Sequence, residues 1–292
     1  MKFTTFLKDG KARLAAVDGN DVIDLNAAQP QVPADMRAAL VAGIDLAAAG
    51  KTAFASGAPR LKLDSLTLAP LVPEPGKIIC LGLNYFDHAK EGGRDKPDYP
   101  WFFFRGASSL IAHKAVGRVP SVSTRFDYEA ELAVVIGTRV PRHTRQATAL
   151  RHVFGYACFN DMSVRDYQKK TPQWTIGKNF DDTGAFGPVL VTADELAPGA
   201  TGLKIQGRLN GQVMQDANTS EMIFSVAETI ELLADVLTLE PGDVIVMGTP
   251  AGVGQARTPP VWMKAGDVYE VEIEKVGLLS NPIANELLDE VL

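Results

Sequence analysis

The 292-residue chain carries 29 basic and 35 acidic residues, a net charge of −6, with 46% hydrophobic and 22% charged residues. This is the balance of a globular domain, and it excludes a disordered tail and a collagen-like fibre; with only Cys80 and Cys158 present, a disulfide scaffold is excluded too. No Lys/Arg cluster supplies the footprint of a nucleic-acid binder, and no apolar run reaches the roughly 18 residues of a membrane helix. The expectation is a cytoplasmic protein with buried thiols and a small-molecule partner, and with neither nucleic acid nor membrane.

In chain order, Lys2 to Leu7, Ala12 to Val17 and Val22 to Leu25 alternate around the turns Asp9-Gly10 and Asp18-Gly19-Asn20, which predicts a β-meander. Pro33 to Ala55 has helical spacing, and Leu61 to Leu71 reads as extended. Pro70, Pro73, Pro75 and Gly76 then punctuate the chain, so the expected organisation is a small N-terminal α+β domain over 1–72 and a larger domain over 73–292. In the larger domain Lys77 to Leu83, Tyr128 to Val140, Leu203 to Leu209 and Asp243 to Met247 are strand-like. Gln146 to Val153 and Ser225 to Leu237 are helical, the latter with Val226, Ile230, Leu233 and Leu237 on one face. The fold class is β-rich α+β, without internal repeats of roughly 20 to 50 residues.

Chemistry concentrates in a few segments. In Phe126-Asp127-Tyr128-Glu129-Ala130-Glu131, strand periodicity points Asp127, Glu129 and Glu131 the same way, toward the face shared with Ala133 and Val135. Carboxylates on a strand buried on both faces require protons, basic partners or a cation, and a hard divalent ion fits best; the other reading is a solvated strand end. Asp161, after the apolar run Val153 to Phe159, can complete a three-carboxylate set suited to Mg²⁺ or Mn²⁺, or cap a helix, or do both. His88 and Glu91 stand at i, i+3, which suits a general-base dyad as well as a surface pair. The glycine pair that follows suggests a segment that orders on ligand binding. Pro241 to Gly254 runs a strand into a glycine-rich turn whose N–H groups can hold a carboxylate, although alone it reads as a hairpin turn. Its spacing matches neither a dinucleotide fingerprint nor a P-loop.

Together, GLNYFDHAKE, FDYEAELAVVIG, GYACFNDMSVRDYQ, QWTIGKNFD with FGP, LEPGDVIVMGTPAGVG and KAGDVYEVEIEKVG, in this order over about residues 77 to 278, resemble the fumarylacetoacetate hydrolase superfamily. The resemblance implies a homodimer with a mixed β-sandwich roll, and Mg²⁺ or Mn²⁺ on Glu129, Glu131 and Asp161. It also implies substrate contacts from Lys178 and Gln168, a carboxylate cradle at Gly248 and Thr249, and water activation by His88 with Glu91. Arg165 is expected to pair with the site acids or the substrate. Arg105 stands in a segment where many members carry lysine, so its substrate contact is less transferable. The activity expected first is cleavage of the C3–C4 bond of an acylpyruvate or other 2,4-diketo acid, with water attacking the 4-oxo carbon. The alternatives are an oxaloacetate-type decarboxylase or a 2-hydroxy-dienoate isomerase or tautomerase; a ureidoglycolate lyase and a non-catalytic metabolite binder rank lower. The substrate tail is expected against Tyr85 to Trp101 and Gln255 to Trp262.

Overall fold

The computed structural model describes residues 1–93 and 95–287; Arg94 and residues 288–292, which belong to the larger expected domain, lie outside them. The main sheet has eleven strands among the described residues. Its order is Leu61–Lys62, Asp21–Asp24, Lys11–Asp18, Lys2–Lys8, Gly184–Thr192, Val153–Asp161, Ala130–Ile136, Val244–Val246, Ile78–Gly82 and Trp101–Arg105, with Leu110–Ile111 beside Gly184–Thr192. The meander expected at the N-terminus forms, and it joins this sheet where Lys2 and Phe3 pair with Val191 and Leu190. Leu61 to Leu71 is not one continuous strand: Leu61–Lys62 pairs with Asp21–Asp24, Leu63–Ser65 turns as a 3-10 helix, and Leu68 then makes an isolated bridge to Phe6.

Strand Ala130–Ile136 is wholly buried because it lies mid-sheet with a core on each side. Leu132, Val134 and Ile136 enter the core shared with helix Val226–Val236 and with a second, five-stranded sheet. Ala133 and Val135 face the opposite core, which Phe3, Leu14, Met36 and Leu40 of the N-terminal segment help to fill. Helix Val226–Val236 begins where Ser225 Oγ accepts the Glu228 N–H at 3.2 Å, satisfying an otherwise unpaired first-turn donor. Among the described residues no helix is long and apolar enough to cross a membrane.

The register of the central strands sets up the site. Ala130 pairs with Asn160 and Glu131 with Phe159, which puts Glu129 across from Asp161; the Asp161 N–H donates to the Glu129 carbonyl at 3.0 Å. Glu129 and Glu131 are two residues apart, and Asp161 is the direct cross-strand neighbour of Glu129. All three therefore project from one face, at the end of the strand pair where the ladder opens into loops.

Candidate active site

Glu129, Glu131 and Asp161 are buried, and one carboxylate oxygen from each lies within 4.8 Å of the others. Lys178, from helix Thr175–Lys178, enters the cluster from the side, its Nζ at 2.6 Å from both Glu129 Oε2 and Asp161 Oδ2. This approach requires Gly177, because a Cβ there would meet the Gln168 backbone nitrogen at 2.3 Å; without one, helix Thr175–Lys178 closes onto helix Arg165–Gln168. Arg165 Nη1 stands 2.6 Å from Glu129 Oε1 and donates to Gln168 Oε1 at 3.0 Å. Arg105 Nη1 is 3.2 Å from Asp161 Oδ1, and the same guanidinium donates to the carbonyls of Lys178 and Thr183.

Asp127 departs from the simple alternation. Strand Phe126–Asp127 stops two residues before Ala130–Ile136 begins, and Asp127 accepts from Arg165 Nε at 2.7 Å, from the Gly254 N–H at 2.7 Å and from the Gln255 N–H at 3.0 Å. It anchors Arg165 and the glycine-rich turn instead of joining the donor triad.

Charge in the cluster is unevenly shared. Burial works against ionisation of Glu129, but Lys178 and Arg165 outweigh it and hold its pKa below the usual carboxylate range. Burial also opposes the Lys178 ammonium, yet Asp161 and Glu129 keep its pKa above that of a free lysine. Glu131 goes the other way: burial, then the negative charges of Asp161 and Glu129, push its pKa well up, and Lys178 with the Gly248 N–H only partly compensates. Glu131 has no ion-pair partner among the described residues; its Oε2 accepts the Gly248 N–H at 2.6 Å. Asp161 Oδ1 is buried and accepts no hydrogen bond. An all-oxygen donor set with one buried carboxylate short of a counter-ion and one unsatisfied oxygen fits a hard divalent cation.

A cavity of about 410 Å³ opens over the cluster. Glu129, Glu131, Arg165, Gln168, Lys178 and Thr249 line it, as do His88 and Glu91. His88 Nδ1 lies 2.8 Å from Glu91 Oε1. Since an ionised carboxylate only accepts, the bond makes Nδ1 the donor and leaves Nε2 as the basic nitrogen. Glu91 is itself anchored: its Oε1 and Oε2 accept the Gly252 N–H at 3.2 and 2.9 Å, tying helix Phe86–Glu91 to the glycine-rich turn. Gly252 sits at φ +101°, and a Cβ on it would meet the Met214 carbonyl oxygen at 2.1 Å.

Residues 77–284 match the family model described as fumarylacetoacetate (FAA) hydrolase, C-terminal. The chain belongs to this family. It is 40% identical over 268 residues to the mitochondrial oxaloacetate tautomerase fahd2 of Xenopus laevis, covering 91% of this chain and 83% of that protein. Among solved structures, the fumarylacetoacetate hydrolase of psychrophilic Exiguobacterium antarcticum superposes with a TM-score of 0.84 at 36% identity, covering 98% of this chain and all of that one. The maleylpyruvate hydrolase of Sphingobium sp. SYK-6, in complex with manganese(II) and pyruvate, gives 0.81 at 29% identity, again over 98% of this chain and all of the other. The β-rich α+β architecture is thus that of the fumarylacetoacetate hydrolase fold.

Within this family frame, two of the residues expected to touch substrate face elsewhere. Arg105 is not on the cavity wall; it lies behind Asp161 and braces the Lys178 backbone, because the carbonyls of Lys178 and Thr183 occupy its guanidinium. The Gly248 N–H is likewise taken, by Glu131, and those of Gly252, Gly254 and Gln255 by Glu91 and Asp127. These four N–H groups of the glycine-rich turn therefore hold the protein's own carboxylates. Thr249 does line the cavity; its hydroxyl donates to the Ala130 carbonyl at 3.0 Å and accepts from Gln215 Nε2 at 2.8 Å. Gln215 was not expected here. Val213 and Gln215 pair with the adjacent residues Arg208 and Gly207, so a bulge at Met214 resets the alternation and turns Gln215 inward, which no pattern in the sequence announces. Trp174, Phe103 and Val253 add an apolar part of the wall, and their character gave no functional signal.

Proposed function

We propose that this family member is a divalent-metal-dependent tautomerase that interconverts the keto and enol forms of an oxaloacetate-like 2-keto diacid. The observation that carries the reading is the 40% identity with an oxaloacetate tautomerase over nine-tenths of the chain, with an oriented base and two carboxylates of the buried triad, Glu129 and Glu131, facing one cavity. This ranks keto–enol chemistry above the carbon–carbon cleavage expected first.

Glu129, Glu131 and Asp161 would hold Mg²⁺ or Mn²⁺. When bound, the cation supplies Lewis-acid polarisation to a chelating 2-keto carboxylate. His88 Nε2 takes a proton from C3, and Glu91, fixed by Gly252, supports the imidazolium that results. As the C3–H bond breaks, its electrons form the C2–C3 double bond and negative charge gathers on the 2-oxo oxygen, near the Lys178 ammonium; a proton returned to that oxygen completes the enol. Arg165 and Gln168, bonded to each other, position the substrate carboxylate.

A second reading, hydrolysis of a 2,4-diketo acid, is supported by the likeness to the maleylpyruvate hydrolase and by the same His88–Glu91 pair acting on water. One assay separates them: with Mn²⁺, the tautomerase gives a fast change in enol absorbance and no pyruvate from 2,4-diketo acids. His88→Ala and Glu91→Gln should each lower kcat about 100-fold or more. Pyruvate release from diketo acids with no effect on oxaloacetate tautomerisation would overturn the reading. We further propose a homodimer, checked by light scattering, and a cytoplasmic setting, supported by the two buried free thiols Cys80 and Cys158.

A further inference from the structure

One cation on the cavity wall, Lys169, has no ion-pair partner among the described residues. Lys169 directly follows helix Arg165–Gln168, and its backbone N–H bonds to the Arg165 carbonyl at 3.2 Å, so the two side chains share a helical face at i, i+4. Arg165 and Gln168 are buried while Lys169 is exposed, yet all three line the same cavity. They form a polar series that starts at the carboxylate floor, where Arg165 meets Glu129, and ends at the mouth with Lys169. The next residue, Lys170, goes elsewhere and stacks over the Tyr167 ring at 3.3 Å.

Among the described residues no carboxylate lies within ion-pairing distance of Lys169. Burial, then the positive charges of Arg165 and Arg125, hold its pKa below that of an ordinary lysine, with only partial relief from Asp127. An ammonium repelled by its neighbours is a group that a ligand carboxylate satisfies. Leu81, Phe103, Trp174 and Val253 on the same wall are apolar and cannot themselves distinguish a charged tail.

We propose that Lys169 recognises the second carboxylate of a dicarboxylic substrate whose keto-acid end lies over Glu129, Glu131 and Asp161. The assignment deepens the tautomerase reading and rests on it for the identity of the keto-acid end. It makes Lys169 the residue that selects a diacid over a keto acid of the same length with an apolar tail.

The test compares wild type, Lys169→Met and Lys169→Arg, all loaded with Mn²⁺. Tautomerisation of oxaloacetate is set against that of 2-oxobutanoate, in which a methyl group replaces the second carboxylate, each followed by exchange of the C3 hydrogens for deuterium. Lys169→Met should lower the oxaloacetate to 2-oxobutanoate ratio of kcat/KM about tenfold, through KM rather than kcat, and Lys169→Arg should restore most of it. In parallel, calorimetry follows binding of malate and of 2-hydroxybutanoate, neither of which needs turnover. Malate affinity should fall about tenfold in Lys169→Met, while 2-hydroxybutanoate affinity moves less than twofold. An unchanged ratio, or equal losses for both members of each pair, removes Lys169 from tail recognition even if the enzyme is a tautomerase. Selective loss of malate binding in a protein that tautomerises neither acid sustains the assignment and overturns the tautomerase reading instead.

Discussion

Replacing Glu131 with Gln should separate metal affinity from fold stability. Glu131 is the member of the triad without an ion-pair partner among the described residues, and burial together with Asp161 and Glu129 raises its pKa above the ordinary 4.5. Gln is nearly isosteric with the protonated carboxyl and can still accept from the Gly248 N–H, so the metal-free variant should stay within about 1 kcal/mol of wild type at pH 5. The pH dependence has a definite sign. Below about pH 4.5 the carboxyl is protonated in both folded and unfolded chains. Above it the unfolded chain releases the proton while the folded one retains it, so metal-free wild type loses stability until pH passes the raised folded value. Gln does not titrate, and Glu131→Gln should therefore melt increasingly above metal-free wild type from pH 5 to pH 8.

Mn²⁺ reverses the order. At a free concentration about 100 times the wild-type Kd, binding stabilises by about 2.7 kcal/mol, or about 5 °C for a chain of this size. If losing one charged ligand weakens binding about 100-fold, the same concentration equals the variant's Kd and yields about 0.4 kcal/mol, roughly 1 °C. Thermal shift by fluorescence, with and without Mn²⁺ across this pH range, checks both halves. The reasoning fails if Glu131→Gln shows the full wild-type shift with Mn²⁺, or if its metal-free form falls far below wild type at every pH.

Lys178→Met leaves Glu129 and Asp161 without the ammonium that bridges them at 2.6 Å, so the metal-free protein should lose about 3 to 5 kcal/mol, read by urea denaturation, and Mn²⁺ should stabilise it more than it does wild type. A loss below 1 kcal/mol would mean that the bridge is not maintained in solution. Gly252→Ala forces a Cβ against the Met214 carbonyl at a left-handed φ, which should cost about 1 to 3 kcal/mol and release Glu91. Its tautomerase kcat should fall toward that of Glu91→Gln while Mn²⁺ affinity, by calorimetry, stays within about threefold; full activity would show that the Gly252 N–H does not position the base.

What was legible in the sequence was local. The Glu129–Glu131 spacing on an apolar strand placed two carboxylates on one face whatever the strand paired with, because side-chain direction repeats every two residues. The His88–Glu91 pair followed equally from a single helical turn. The reach of Lys178, the diversion of Asp127 to Arg165, the engaged N–H groups of the glycine-rich turn and the inward rotation of Gln215 were decided only when distant segments met. Gly248 and Glu131 are 117 positions apart, and Gly254 and Asp127 are 127 apart. A backbone N–H or a carboxylate finds its partner through packing between elements, and a bulge or a missing Cβ settles which partner that is. One chain's order of residues carries periodicity but not the pairing energies of segments that fold into contact, so the charge balance that singles out Glu131 and Lys169 belongs to the tertiary structure.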